Sequence, residues 1–177
     1  MTLFFYILIA VITFVAFLHA YQKKEYEISR TVVINKPKAE VFAYMRQLKK
    51  QPIWQPWFQN EPKTILKFKG EDGYEGATLY WKGNSKIGEG IVKITKVRSG
   101  KLVEFKLVFL KPFKLTASSY MAIKEVEPDI TKMIWGIRGK HNFPFSCLTV
   151  FWSTEKAFGQ KVETGLFNLK KTIESKP

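Results

Sequence analysis

The sequence predicts an α+β domain with an antiparallel sheet of about seven strands and one long C-terminal helix, and an apolar helix before the domain. Short runs rich in β-branched and aromatic residues follow one another from about residue 64 to residue 139, separated by Gly, Asn and Asp turn signals. The hydrophobic period then changes from two residues to about 3.6. Hydrophobic residues make up 46% of the chain and charged residues 25%, which is typical of a chain that folds.

An uninterrupted apolar segment, Thr2–Ala20, opens the chain and carries no formal charge. As a helix it would be about 28 Å long, close to the thickness of a bilayer's hydrocarbon core. No basic residue precedes it, and Leu18 and Ala20 are not the two small residues that a cleavage site needs. We therefore favour an uncleaved transmembrane anchor over a secretory signal peptide.

Two basic residues, Lys23 and Lys24, directly follow the apolar segment. By the positive-inside rule they place the rest of the chain in the cytoplasm. The sequence thus predicts a single-pass membrane protein with an anchor and its flank over residues 1–22 and a folded domain over residues 23–177.

The domain begins with a predicted strand over Tyr26–Asn35, which is rich in β-branched residues. A helix is predicted next, because Pro37 suits a first helical turn and Val41, Phe42 and Met45 share one helical face. A loop rich in Pro and Trp follows, and six further strands separated by short turns follow the loop. Consecutive strands with short turns imply an antiparallel meander.

Two of these strands show which side chains face the interior. Strict alternation places Val103, Phe105, Leu107 and Phe109 on one face of their strand. In the last strand, the inward side chains are predicted to be Met133, Trp135 and Ile137.

The chain ends in a predicted helix over residues 143–174, within which Gly159 is a candidate point of division. One apolar stripe runs along this helix at spacings of four, three and four residues, formed by Val162, Leu166, Leu169 and Ile173.

A sheet of about seven strands has to bury one face, and only one long helix is available to cover it. A curved sheet wrapped around a single helix leaves room, so the sequence predicts an apolar cavity between them. We expect Trp54, Trp57 and Phe58 either to form the mouth of this cavity or to plug the open end of the sheet. The candidate walls, each of which could equally be ordinary core, are Trp81, Phe105, Phe109, Tyr120, Met121, Met133 and Trp135.

Six segments occur in order along the domain: INKPKAEVFAYM, WQPW followed by EPK, GYEGATLYWKGNSKIGEGIVKITKV, LVFLKPF, MIWGIRGKHNFPF and GLFNLKKTIE. Together they resemble the SRPBCC or START-like superfamily and, within it, the polyketide cyclase/dehydrase-type branch. The resemblance covers about residues 26–174. It implies the helix-grip fold with a deep apolar cavity, and relatives of this type also carry an N-terminal membrane segment.

The resemblance does not imply one activity, because the superfamily includes lipid carriers, hormone receptors and cyclases. Lys49, Lys50 and Gln51 also stand where the family often has an acidic residue before its first Trp. Any role of that acid cannot be transferred to this chain.

Catalytic motifs are absent from the sequence. His141 beside Asn142 is predicted to be a polar loop residue, and Cys147 a small buried one. No metal-binding spacing or dinucleotide fingerprint occurs, so we predict neither a metal nor a cofactor. Gly88 and Gly90 around Glu89 are expected to bend a strand or to admit close backbone approach.

Three functions remain open. The leading one is a membrane-anchored module that binds a hydrophobic small molecule or lipid. The first alternative is a cyclase- or dehydratase-like enzyme that uses carboxylates or the hydroxyl groups of Tyr44, Tyr80 or Tyr120, although no catalytic residue can be assigned.

The second alternative is charge-driven binding to an anionic surface or to nucleic acid, because the net charge is +14. Of the 29 basic residues only four are Arg, the residue that nucleic-acid readers prefer. We therefore expect no specific nucleic-acid partner.

Overall fold

A computed structural model of the protein describes residues 2–21, 25–59, 61–112, 114–140 and 154–175. The predicted loop residue His141, the predicted buried residue Cys147 and the first part of the predicted C-terminal helix lie outside these ranges.

The N-terminal segment forms helix α1, Thr2–Tyr21, whose side chains are described from Thr2 to Phe17. Large apolar side chains of α1, including Leu3, Phe4 and Phe14, are exposed. Among the residues described in this structure, no helix is both long enough and apolar enough to cross a membrane. The transmembrane part of the predicted fold is therefore not confirmed.

Seven strands form a single antiparallel sheet, as the sequence predicts, and their order is β1-β7-β6-β5-β4-β3-β2. Strand β1 at one edge pairs with the last strand, and β2–β7 form a meander. The α+β class and the antiparallel sheet are confirmed. The strands are β1 Glu25–Ile34, β2 Ile65–Lys69, β3 Thr78–Lys82, β4 Glu89–Arg98, β5 Leu102–Lys111, β6 Leu115–Glu127 and β7 Ile130–Lys140.

The sheet has two ends that differ in what they carry. We call the end where β1 begins and β7 finishes the α1 end, because the chain reaches it directly from α1; it also carries the β3–β4 and β5–β6 connections. The opposite end, where β1 finishes and β7 begins, is the far end. It carries the β2–β3, β4–β5 and β6–β7 connections.

Helix α2, Lys38–Met45, follows β1 as predicted and buries Val41, Phe42 and Met45. The Pro- and Trp-rich stretch after it is not a loop. It forms a 3₁₀ turn, Leu48–Lys50, and the short helices α3, Gln51–Trp54, and α4, Pro56–Gln59. The prediction missed them because each is about one turn long, too short to show a hydrophobic period, although a proline near the first position of a helix is favourable.

The C-terminal helix α5 comprises Thr154–Glu174 in the described part of the chain. It passes through Gly159 without a break, so the predicted division there is wrong; packing against the sheet outweighs the weak helix propensity of one glycine. The predicted apolar stripe is confirmed. Val162, Leu166, Leu169 and Ile173 are all buried.

Alternation along the strands puts one face of the sheet against α5, with the predicted inward residues of β5 and β7 on that face. Val103 and Phe105 are buried, and Leu107 and Phe109 pack against the core from partly exposed positions. Met133, Trp135 and Ile137 are buried. The apolar core therefore lies between the concave face of the sheet, α5 and the short helices.

Candidate functional site

Three indole rings fill the space beneath the middle of α5. The ring centroid of Trp54 lies 5.1 Å from that of Trp135, and the centroid of Trp57 lies 6.0 Å from it, both edge to face. Only 1% of Trp54 is exposed. The small residue Gly165 lets α5 approach, since a Cβ at that position would lie 2.7 Å from the Trp135 ring. This part of the interior is closed.

The polar group of the central indole is satisfied inside the core. Trp135 Nε1 donates a hydrogen bond of 2.9 Å to Ser119 Oγ, and this hydroxyl donates in turn to the carbonyl of Gly136 at 2.9 Å. A buried indole N–H without a partner would cost stability. The pair therefore fixes Trp135 as a structural element.

A second row of rings continues across the concave face towards β3. Phe58 lies edge to face with Trp81 at 6.3 Å, and Trp81 with Phe109 at 5.7 Å. Gly90 stands opposite Trp81 in the register, and a Cβ there would lie 2.4 Å from the ring. The expectation that this glycine admits a close approach is confirmed. Its neighbour Gly88 has a φ of 66°, a conformation that favours glycine.

A wide, open pocket of about 1170 Å³ lies at the α1 end of the sheet, between residues of β1 and residues of β4 to β7. Side-chain alternation divides its lining between the two faces of the sheet. Most of its lining residues are on the outer face, among them Glu27, Lys106 and Arg138, and we call its smaller, inward part the hollow. Only inward side chains can contact a ligand held against the concave face, and they are Tyr26, Phe105, Phe109, Leu115, Ala117 and Gly139.

Small residues occupy two adjacent inward positions of the hollow. Ala117 in β6 stands opposite Gly139 in β7, and Gly139 stands opposite Tyr26 in β1. The ring of Tyr26 lies over the glycine, where a Cβ would come within 2.4 Å of the Tyr26 hydroxyl. Two adjacent inward positions therefore contribute one methyl group between them, and the aromatic ring beside them forms a wall.

Tyr26 is the titratable group on the inward side of this cavity. Burial raises the pKa of its hydroxyl above the ordinary value of 10.0, so the group is a neutral phenol at physiological pH. Its hydroxyl is a polar group at the edge of an otherwise apolar surface.

The structure distributes the ten predicted site residues among three places. Phe105 and Phe109 line the cavity. Tyr120 lies on the outer face. The others belong to the core or pack against it: Trp54, Trp57, Phe58, Trp81, Met121, Met133 and Trp135. A ligand-binding role for any of the ten stays a prediction.

Hydrogen bonds hold Tyr120 on the outer face. Its hydroxyl donates to Glu27 Oε1 at 2.8 Å, and the Arg138 guanidinium lies over its ring at 4.6 Å and donates to the same oxygen at 2.9 Å. The hydrogen bonds from Arg138 and then Tyr120 hold the pKa of Glu27 below its ordinary value. The group is a network on the outer face, and Glu27 and Arg138 also line the outer part of the pocket.

A similar network surrounds Glu89. Tyr80 donates to Glu89 Oε1 at 2.8 Å, and the ammonium group of Lys111 lies 3.4 Å from Glu89 Oε2. The hydrogen bond from Tyr80, followed by Lys111, lowers the pKa of Glu89. Tyr80 also faces outward, and Tyr44 is buried in α2. None of the three tyrosines considered for an enzyme lines the cavity.

The described residues offer no metal centre, because no three His, Cys, Asp or Glu side chains among them come together.

Sequence reasoning missed Tyr26, Ala117 and Gly139 as a group. Alternation alone puts Tyr26 on the same face as Ile28, a signal that was available. That Tyr26 meets Gly139 depends on the pairing of the first strand with the last, which alternation does not specify.

No protein-family model matches the chain, and no curated protein matches it. Solved structures do resemble it. Norcoclaurine synthase from Thalictrum flavum, in complex with dopamine and hydroxybenzaldehyde, superposes with a TM-score of 0.65 at 12% identity, covering 86% of this chain and 88% of that one. A protein from Nitrosospira multiformis gives 0.59 at 16%, covering 85% and 97%.

The Aha1 dimer from Colwellia psychrerythraea provides a third likeness. Its TM-score is 0.58 at 16% identity, with 85% of this chain and 97% of that chain covered. At such low identity these likenesses show the fold alone. The helix-grip architecture expected from the sequence is therefore confirmed.

Proposed function

We propose that the protein binds a hydrophobic small molecule or lipid in the hollow at the α1 end of its sheet. The observation that carries this proposal is the inward part of the pocket at the α1 end, where the lining residues are apolar except for the Tyr26 hydroxyl. Such a lining, with one polar group to orient the ligand, is typical of small-molecule sites. The site lies beside the aromatic cluster under α5 rather than within it.

The fold comparison supports a ligand of this kind. Norcoclaurine synthase holds two small aromatic molecules on the same architecture at low identity. For this chain the likeness supports binding more than catalysis, because the carboxylates and tyrosines considered for an enzyme lie elsewhere. The narrower assignment to the polyketide cyclase/dehydrase-type branch rests on the sequence resemblance.

Attachment to a membrane through α1 belongs to the same proposal. Its support is an uncharged helix of 20 residues whose apolar side chains are exposed, with Leu3 at 72% and Phe4 at 73%. Exposed apolar surface of this extent needs an apolar partner in water. Lys23 and Lys24 favour a cytoplasmic location for the domain.

Filling the hollow tests the binding site. In Ala117→Leu, the added side chain enters the cavity, so we expect at least about a fivefold loss of labelling by a diazirine-bearing fatty acid. The free energy of unfolding should fall by about 1–3 kcal/mol, because Ala117 is buried and the larger side chain displaces its neighbours, so labelling is compared where both proteins are folded. Labelled peptides from the full chain in detergent are measured by mass spectrometry. The wild-type adducts should fall on β1 and on the facing ends of β5 and β6.

Ala122→Leu is the matched control, because Ala122 lies on the same strand but on the opposite face. It should keep wild-type labelling. Saturable labelling on Trp54 or Trp57 in place of the hollow would move the site to the predicted mouth. Absence of any saturable labelling would reject the binding proposal.

A further inference from the structure

Charge is distributed unequally between the two ends of the sheet. At the far end, carboxylates and basic groups nearly balance: the six residues Glu71, Asp72, Glu75, Glu125, Glu127 and Asp129 face the seven residues Lys36, Lys38, Lys69, Arg98, Lys101, Lys124 and Lys132. At the α1 end, across β1 and β3–β7, the basic groups predominate. They are Lys82, Lys86, Lys106, Lys111, Lys114, Arg138 and Lys140, against Glu25, Glu27 and Glu89.

Each of these three carboxylates already has a basic partner. Glu25 pairs with Lys140 at 2.7 Å, Glu27 with Arg138 at 2.9 Å and Glu89 with Lys111 at 3.4 Å. The pairing leaves an excess of positive charge on four lysines. Among the described residues, no carboxylate oxygen comes within 4.0 Å of the ammonium groups of Lys82, Lys86, Lys106 and Lys114.

These four lysines are exposed. They lie on the neighbouring strands β3 to β6 or their connections, so they spread over about 15 Å across the strands and, because Lys106 stands five residues before Lys111, over a similar distance along them. Lys106 and Lys114 also stand at the rim of the cavity. Two of the four excess charges therefore stand at the pocket.

The chain itself limits how far this end can be from α1. Helix α1 ends at Tyr21 and β1 begins at Glu25, so their Cα atoms are at most about 14 Å apart. A bilayer that holds α1 would lie within this distance of the α1 end of the sheet. Anionic lipid headgroups at its surface would attract exposed lysines within about one Debye length.

We infer that the α1 end of the sheet, with Lys82, Lys86, Lys106 and Lys114, is a docking surface for an anionic lipid bilayer. The inference rests on the proposed attachment through α1 and adds the partner and the orientation of the domain. Docking in this orientation turns the opening of the hollow towards the lipid surface, from which a hydrophobic ligand would enter. Lysine rather than arginine suits a headgroup layer, which requires charge but no planar recognition.

Amine acetylation of the full chain in vesicles tests the docking surface. The chain is reconstituted in neutral phosphatidylcholine vesicles and in vesicles with about one third phosphatidylglycerol, and labelling of each lysine is followed by mass spectrometry. We expect Lys86, Lys106 and Lys114 to react at least about threefold more slowly in anionic vesicles, and this protection to disappear in about 0.5 M salt. Lys101, Lys124 and Lys132 at the far end should react equally in both.

Variants in which lysines are replaced by glutamate test whether the charge of these lysines causes the docking. In K86E/K106E/K114E, the lipid-dependent protection of Lys82 should disappear, since each lysine contributes about fivefold to docking. The matched variant K101E/K124E/K132E makes the same charge change at the far end and should keep this protection.

The outcomes separate the two proposals. If the chain floats with neutral vesicles but its lysines show no selective protection, the docking surface is overturned while attachment through α1 stands. If the chain floats with anionic vesicles alone, the docking surface is supported and attachment through α1 is contradicted. Equal or stronger protection of the same lysines by duplex DNA would overturn the bilayer in favour of a nucleic-acid surface.

Discussion

Among the residues that the structure describes, the concave face of the sheet is closed beneath the middle of α5 and carries the hollow at the α1 end, although β6 and β7 build both regions. In the closed region, the inward side chains of these two strands are Met121 and Trp135. They stand opposite each other in the register, and both are buried. Four residues closer to the α1 end, the inward positions of the same strands are Ala117 and Gly139, which line the hollow. The size of a few inward side chains, rather than the number of strands, decides where this fold keeps a cavity.

Removing a ring from the closed region should have the largest effect. Trp54→Ala leaves a cavity against Trp135, so we expect a loss of about 3–5 kcal/mol in the free energy of unfolding. Urea unfolding of the full chain in detergent, followed by circular dichroism, measures it. A loss of ligand labelling without a loss of stability would instead make Trp54 part of the binding site and break the contrast between the two regions.

Substitutions at two glycines of α5 should have effects of intermediate size and show how tightly the helix packs in the closed region. Gly165→Ala places a Cβ 2.7 Å from the rigid Trp135 ring, so we expect destabilisation of about 1–2 kcal/mol despite the better helix propensity of Ala. At Gly159 the nearest atoms belong to the flexible ends of Arg30 and Glu155. Gly159→Ala should therefore be neutral or stabilising by up to about 1 kcal/mol.

The same urea assay, run on both variants, compares two positions of one helix. Equal effects at Gly165 and Gly159 would mean that α5 can move away from Trp135, and that the closed region is less tightly packed than its geometry implies.

The smallest effect concerns Glu89, on the outer face beside the open region. Because the folded protein holds its pKa below the ordinary value of 4.5, the stability that this carboxylate contributes is present above pH 4.5. It is lost as the pH falls through the folded-state pKa. Glu89→Gln should remove this part of the acid destabilisation, so the stability difference between wild type and variant should shrink as the pH falls from 6 to 3.

Urea midpoints across this pH range measure the difference. Tyr80→Phe is the companion variant, because it removes the hydrogen bond that lowers the pKa most. It should shift the loss of stability to higher pH. A difference that does not change with pH would show that Glu89 titrates alike in the folded and unfolded chain.

Much of the architecture could be predicted because it follows from local patterns. Alternation identified the inward faces of β5 and β7, and the spacing of Val162, Leu166, Leu169 and Ile173 identified the buried stripe of α5. The short helices around Trp54 could not be predicted in this way. A helix of one turn has no period to detect, and its stability comes from tertiary packing.

The candidate site was predicted less well. The sequence indicated large aromatic residues and a cavity, but it could not say which rings would fill the interior. Trp54 closes it by meeting Trp135, a residue far along the chain. The composition of the Pro- and Trp-rich segment does not show which distant residue Trp54 will contact.

The sequence by itself determined the α+β class, the strand faces and the apolar stripe of the last helix, because each depends on side-chain periods within one segment. The tertiary structure alone decided where the space remains. Tyr26, Ala117 and Gly139 come from three strands, and only the register that pairs β1 with β7 and β7 with β6 sets two of the smallest side chains next to one ring. Register is a property of paired strands, so no single segment contains it.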